Sequence, residues 1–211
     1  TIMMPMVKTD NRSGVVWLTL SQGQRRNPLS SEMLTALGDC LNDAYNNKAA
    51  RVIVIAAEGP VFSAGHDLSE MARLESETQD EWRARVLAIL ELCAEMMQGI
   101  VHAPKPVIAC VQGTATAAGC QLVSACDLAI ASSDAKFCTP GVNMGAFCTT
   151  PLVGIGRNLS RKHALEMALT GEMFDAATAE SFGLINRSVP SYSLIEATQL
   201  LADRIASRSS E

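Results

Sequence analysis

Hydrophobic and polar positions alternate along this chain in two rhythms, one of strands and one of helices. Val15–Leu20 (VVWLTL) is a short β-rich run ended by Ser21 and Gly23, and it reads as a strand. Residues 31–46 repeat apolar positions at helical spacing, with Leu34, Leu37, Leu41 and Tyr45 on one face. Ser30 or Ser31 stands where a cap belongs. The run 51–57 is apolar without alternation until Glu58-Gly59-Pro60 stops it, which predicts a strand buried on both faces of a parallel or mixed sheet. A long amphipathic helix is expected from Asp80, with Val86, Leu90, Cys93, Met97 and Ile100 in register. Pro104 and Pro106 close it. Residues 107–111 form another buried strand, 127–132 a further one and 136–139 a shorter one, while 151–207 reads mostly as helices. Strands alternating with helices predict an α/β fold with right-handed crossovers, and strand-to-helix turns are where such folds carry function.

Composition acts by exclusion. The chain has 211 residues, 48% hydrophobic and 18% charged, enough to bury a full core. Its net charge is −5 and no block of Lys or Arg stands out, so neither a nucleic-acid partner nor a membrane surface is expected. The apolar stretch 107–131 is broken by Gln112, Gly113, Gly119, Gln121 and Asp127, as in a buried core and unlike a membrane span. The N-terminus shows no charged segment followed by a long apolar one, so no signal peptide is expected. Seven cysteines form no C-x-x-C pair and read as small core residues of a reducing compartment, the cytoplasm or, in a eukaryote, the mitochondrial matrix. The three histidines, His66, His102 and His163, lie far apart without zinc-like spacing, so no metal is expected.

Two glycine turns stand out. The first, Ser63-Ala64-Gly65-His66-Asp67-Leu68, follows the strand 51–57; the second, Thr116-Ala117-Ala118-Gly119-Cys120-Gln121, follows the strand 107–111. Small side chains let a ligand approach the backbone, and the first N–H groups of a helix lack intrahelical partners. Donors of that kind can be aimed together at a developing oxyanion. Taken singly, each turn is equally explained by helix–strand packing.

Taken together, they resemble the crotonase superfamily, also called the enoyl-CoA hydratase/isomerase family. The likeness runs from about residue 15 to 189 through RRNPLSSEM, VIVIAAEGPVFSAGHDL, KPVIACVQGTATAAGCQLVSACDLAIAS, KFCTPGVNMG and LTGEMFDAATAESFGLINRSV. The resemblance implies a spiral of ββα units with a helical C-terminal region, assembled as a homotrimer or a dimer of trimers. It implies an acyl-CoA thioester as substrate, with no cofactor beyond the coenzyme A that the substrate itself carries. On the same footing, the peptide N–H of His66 and that of Ala118 hold the thioester oxygen while an enolate forms, so the backbone at His66 outranks its imidazole. Loss of one such donor costs on the order of 3 kcal/mol of transition-state stabilisation. Coenzyme A is expected along Arg26 and Pro28 and along Ala64, His66, Asp67 and Leu68, with Gly113, Ala117 and Pro140 beside it. Arg25 or Arg26 meets a phosphate or is a solvated surface charge. Residues 1–190 read as the acyl-CoA-binding core, and 191–211 as the start of a helical region that family members continue.

The sequence departs from the hydratases at two positions. The resemblance places one hydratase glutamate three residues after the second donor, where Gln121 stands, and the other after the proline of TPGVNMG, where Gly141 stands. An amide does not titrate near neutral pH, and a positioned acid or base contributes about 10²–10⁴-fold, so efficient hydration is not expected. The superfamily's decarboxylase branch, acting on methylmalonyl-CoA, shows a similar AGHD turn and TPVN-like segment. Its reaction needs an enolate and a proton donor but no starting base. A non-catalytic acyl-CoA-binding subunit is the remaining reading.

Overall fold

The computed structural model describes residues 5–208. It opens with an antiparallel hairpin, β1 (Val7–Arg12) and β2 (Val15–Leu20), turning through Ser13 and Gly14, both at positive φ. Helix α1 (Ser31–Asn46) follows, with Ser30 accepting from the Met33 N–H as its cap. Next come β3 (Val52–Ala57), β4 (Val61–Ser63), the short α2 (Leu68–Met71) and the long α3 (Gln79–Val101). Strands β5 (Val107–Val111) and β6 (Thr114–Thr116) lead into α4 (Ala118–Ala125), and β7 (Leu128–Ser132) and β8 (Lys136–Cys138) lead into α5 (Thr149–Asn158). The chain continues through α6 (Arg161–Thr170), β9 (Phe174–Asp175), α7 (Ala176–Phe182), β10 (Arg187–Val189) and α8 (Leu194–Ala206).

These strands form two sheets. The larger has the order β1-β2-β3-β5-β7-β10, parallel throughout except for β1 at its edge. The smaller has the order β4-β6-β8-β9, with β4, β6 and β8 parallel and β9 antiparallel to β8. Three times the chain leaves a strand of the large sheet, crosses a link of two or three residues, adds a strand to the small sheet and enters a helical segment. That is a spiral of ββα units.

The large sheet is buried on both faces, as the unbroken apolar run at β3 requires. On one face Leu18, Leu20, Ile53 and Ile55 pack with Leu34, Leu37 and Leu41 of α1 and with Cys93, Met97 and Ile100 of α3. On the other, Val15, Trp17, Val52, Val54, Ile108 and Ile130 meet Leu194 and Ala202 of α8. The Trp17 indole N–H, inside that layer, donates to Gln199 Oε1 at 2.7 Å.

Three differences from the sequence reading have local causes. Helix α3 begins at Gln79, not Asp80, because Thr78 and Glu81 form a reciprocal capping box. Its buried stripe is Ile89, Cys93, Met96, Met97 and Ile100, while Val86 and Leu90 are only half-buried. Strands β1, β4, β6, β9 and β10 were not expected: β1 is a polar edge strand, and the others are two or three residues long, too short to show a period.

The sheets can stack only where backbones touch. A Cβ on Gly113, in the link between β5 and β6, would lie 2.1 Å from the Pro60 carbonyl oxygen in the link before β4. Gly113→Ala is therefore expected to destabilise the fold by roughly 2–3 kcal/mol, read as a lower urea midpoint at unchanged slope. A midpoint equal to the parent's would show that this contact yields freely.

Candidate active site

Parallel pairing sets the ends of β4, β6 and β8 side by side, at a strand spacing of about 4.8 Å. Each end runs into one of the segments singled out in the sequence: 64–68, 117–121 and 139–141.

The first turn is held from below by the segment 26–29. Ala64 N–H donates to the Arg26 carbonyl (3.0 Å), and Leu29 N–H donates to the Gly65 carbonyl (2.7 Å). Ser63 Oγ donates to the Asn27 carbonyl (2.9 Å) and accepts from the Gly65 N–H (3.2 Å). Asn27 is fully buried at φ 47°. Its Nδ2 donates to the carbonyls of Glu58 (2.8 Å) and Val61 (2.9 Å), and its Oδ1 accepts from the Gln22 N–H (2.9 Å). Sequence reasoning passed over Asn27, although an Asn-Pro pair is a turn signal.

The second turn leans on its neighbours on both sides. Ala117 N–H donates to the Cys138 carbonyl (3.0 Å), and Thr116 Oγ1 donates to the Ala64 carbonyl (3.0 Å). Ala117 sits at φ 50°, ψ −119°, a conformation that strains any residue with a Cβ and that clusters at functional sites. That kink makes Ala118 the first residue of α4, where helical bonding leaves its N–H free.

The two turns then meet. A Cβ on Gly65 (φ 85°) would stand 3.1 Å from the Thr116 oxygen and 3.2 Å from the Ala118 nitrogen, and one on Gly119 would stand 2.3 Å from the Ser63 oxygen. Bare glycines therefore bring the Gly65–His66 peptide beside the Ala118 N–H. Among the described residues, neither the His66 nor the Ala118 N–H donates to a turn, cap or side-chain acceptor. Two unpaired backbone donors at a helix N-terminus suit a negatively charged or developing anionic oxygen.

The side chains around this point are constrained. His66 Nδ1 is buried without a partner. Burial pulls the imidazole pKa below 6.5, outweighing the opposing effects of the Leu29 backbone and Glu70. Asp67 caps α2, accepting from the Ser69 N–H (3.0 Å) and Ser69 Oγ (2.5 Å), and pairs with Arg25 at 2.8 Å. Ser69 first, and Arg25 after it, hold this carboxyl below the usual carboxylate range. Arg25 thus has a carboxylate partner, while Arg26 is exposed, Pro28 buried, and Ala64 and Leu68 exposed. Gly113 makes a close contact with Pro60.

Gln121 lies one turn along α4 from Ala118. Its Oε1 is buried without a partner, and the side chain lines a cavity of about 330 Å³ between α3, α4 and α5, together with Gln98, Val101, Thr150 and Val153. Pro140 starts the short 3₁₀ turn in which Gly141 is buried. A Cβ on Gly141 would lie 3.0 Å from Cys148 Sγ and 3.1 Å from the Cys148 nitrogen, so a side chain at 141 is crowded by residue 148. Burial raises the nearby thiols: Cys138 is pushed up to about 11, and Cys120 rises further. Neither is a thiolate at neutral pH.

A spiral of ββα units over two sheets is the architecture of the crotonase fold. The chain belongs to the enoyl-CoA hydratase/isomerase family, whose model matches residues 10–211. It is 45% identical over 205 residues to rat enoyl-CoA hydratase domain-containing protein 3, a mitochondrial protein, covering 97% of this chain and 66% of the relative. The chain thus spans just under two thirds of that curated relative's length. The crystal structure of the human protein of that name superposes with a TM-score of 0.90 at 42% identity, covering 97% of this chain and 79% of that one. An enoyl-CoA hydratase/isomerase family protein from Silicibacter pomeroyi superposes equally well, with a TM-score of 0.90 at 45% identity, covering 97% and 85%.

Because folding favours the neutral His66 ring, its contribution to stability is intact above about pH 6.5. It is lost as pH falls from there through the folded-state pKa. His66→Gln is expected to flatten the stability curve between about pH 7 and 5, measured by urea midpoints; an unchanged slope would assign the effect to other groups. Gly141→Glu is expected to lower stability by roughly 1–3 kcal/mol, with Cys148→Ala in the same chain recovering part of the loss. No recovery in the double variant would mean that Cys148 does not occupy that space.

Proposed function

We propose that this protein binds an acyl-CoA thioester and stabilises its enolate between the peptide N–H groups of His66 and Ala118. The observation that carries this reading is the approach of Gly65 to the Ala118 nitrogen, which leaves two unpaired donors together at the start of α4. An enolate oxygen is the anion such donors suit, and removal of one donor in an oxyanion hole lowers turnover by about 10²–10³-fold. Family membership supports the thioester as ligand. In this reading the pantetheine passes Ala64, Asp67 and Leu68, and the acyl group turns toward the cavity beside Gln121.

Hydration is disfavoured. Gln121 does not titrate, Gly141 has no side chain and is crowded by Cys148, the Cys120 and Cys138 thiols stay protonated, and His66 is a weaker base than an ordinary imidazole. A substrate that reaches its enolate without a strong base fits these groups better. Decarboxylation of a malonyl-type thioester does so: the carboxylate carbon leaves as carbon dioxide, its bonding pair becomes the enolate, and a proton then adds to carbon. Several copies of the chain around a threefold axis, and a reducing compartment, the mitochondrial matrix in a eukaryote, complete the proposal, in keeping with the mitochondrial rat relative.

The test is product analysis by mass spectrometry with crotonyl-CoA, a 3-enoyl-CoA and methylmalonyl-CoA. Propionyl-CoA from methylmalonyl-CoA is expected, with crotonyl-CoA hydration at least about 10²-fold below a hydratase bearing both glutamates. Ala118→Pro removes one donor at a helix position that tolerates proline, and Gly65→Ala crowds the same point. Each is expected to lower turnover by about 10²–10³-fold. Hydration at hydratase rates would overturn the reading of Gln121 and Gly141. Binding of every thioester with no product from any would leave an acyl-CoA-binding subunit.

A further inference from the structure

We propose that the opposite ends of the central strands of the large sheet carry a second site, for a small molecule bearing two or more phosphate groups. The site is a cavity of about 790 Å³ where the end of α1, the starts of β3 and β5 and the last turn of α8 converge. Lys48, Arg51, Lys105, Arg204 and Arg208 line it, and no carboxylate side chain does among the described residues. Five of the chain's 17 cations thus face one cavity in a protein of net charge −5.

Ordinary surface pairing does not account for the cluster. Salt bridges among the described residues engage Lys8, Arg12, Arg25, Arg83 and Arg85, and none of these five. Helix ends account for two of them. Lys105 Nζ donates to the carbonyls of Ala44 (2.7 Å) and Asn47 (2.6 Å) at the end of α1, and Arg51 Nη2 donates to the Arg208 carbonyl (2.7 Å). The side-chain donors of Lys48, Arg204 and Arg208 have no assigned acceptor among the described residues, and a guanidinium offers five N–H groups and an ammonium three. Lys105 also has its pKa lowered by desolvation, the direction expected of a cation with no anion beside it.

Several forked donors converging on one cavity match phosphate oxygens, which take them two at a time. The volume lies in the range of small-molecule sites, and Tyr45, Pro104, Pro106 and Ile205 give the wall an apolar portion for the remainder of such a ligand. Strand β3 separates this end from the Gly65 turn by about 20 Å, six residues at about 3.3 Å each. A thioester held at the turns therefore does not occupy this cavity.

Titration calorimetry with inorganic tripolyphosphate tests the proposal, against the parent, Lys48→Gln/Arg204→Gln, and Arg161→Gln/Lys162→Gln as a control removing two exposed cations elsewhere. The expected result is saturable binding of one tripolyphosphate per chain, at least tenfold weaker in the Lys48/Arg204 variant and unchanged in the control. Inorganic phosphate is expected to bind at least tenfold more weakly than tripolyphosphate. No saturable binding, or equal weakening in both variants, would reduce the cluster to diffuse surface charge and overturn the site. All four substituted residues are exposed, so each variant is expected to retain the parent's thermal unfolding midpoint.

Discussion

Everything at the candidate site depends on one contact, the approach of the Gly65 turn to the start of α4. Three glycines make the contacts around it possible: Gly113 where two links cross, Gly119 over Ser63, and Gly65 against Ala118. A methyl group at any of them would push apart backbones whose hydrogen bonds define the small sheet. The contact is therefore a property of the main chain, fixed by the absence of side-chain atoms.

The two sheets divide the work that this contact requires. The large sheet, buried on both faces, supplies the hydrophobic stability, since the apolar layers beneath α1 and α3 and beneath α8 hold its strands in register. The small sheet is built from strands of two or three residues, and Phe62, Ala115 and Phe137 tie it into the same core. It can afford strain because its strands are extensions of those in the large sheet. Ala117 holds φ 50°, ψ −119° only because its N–H is bonded to Cys138 and Thr116 is bonded to Ala64. Strain at the site is thus sustained by stability generated elsewhere.

The sequence displayed the large sheet well and the small one poorly, for the same physical reason. Burial on both faces leaves a continuous apolar run, so β2, β3, β5 and β7 were legible with their boundaries close to those observed. Strands of three residues carry no period, and β4 and β6 hid inside glycine-rich turns. The turns themselves were legible as chemistry, because Gly65, Ala117 and Gly119 are small where a strand meets a helix. Their mutual approach was not: it depends on register between strands that no local pattern announces. Asn27 was missed on similar grounds, since its side chain bonds to backbone 22, 58 and 61, and only the folded chain brings those together. Cys148 is the plainest case. Nothing about a cysteine seven positions downstream of Gly141 shows that it would crowd a side chain at 141.

That last point bears on how such a scaffold changes its chemistry. If oxyanion stabilisation is supplied by peptide N–H groups, as proposed, it survives almost any side-chain substitution that leaves the glycines alone. The acid–base groups are ordinary side chains and can be lost or exchanged without disturbing the fold. Here Gln121 keeps the reach and polarity of a glutamate without its charge, and its unpartnered Oε1 still looks into a cavity. At 141 there is no side chain, and Cys148 packs closely on the glycine. A side chain at 121 has a cavity to enter, whereas one at 141 would press on residue 148. The chain's packing around 141 and 148 is fitted to a glycine, while the backbone turns are sharp enough that Ala117 bears their strain. Strain of that kind clusters at functional sites, which supports the proposal that the turns serve a ligand.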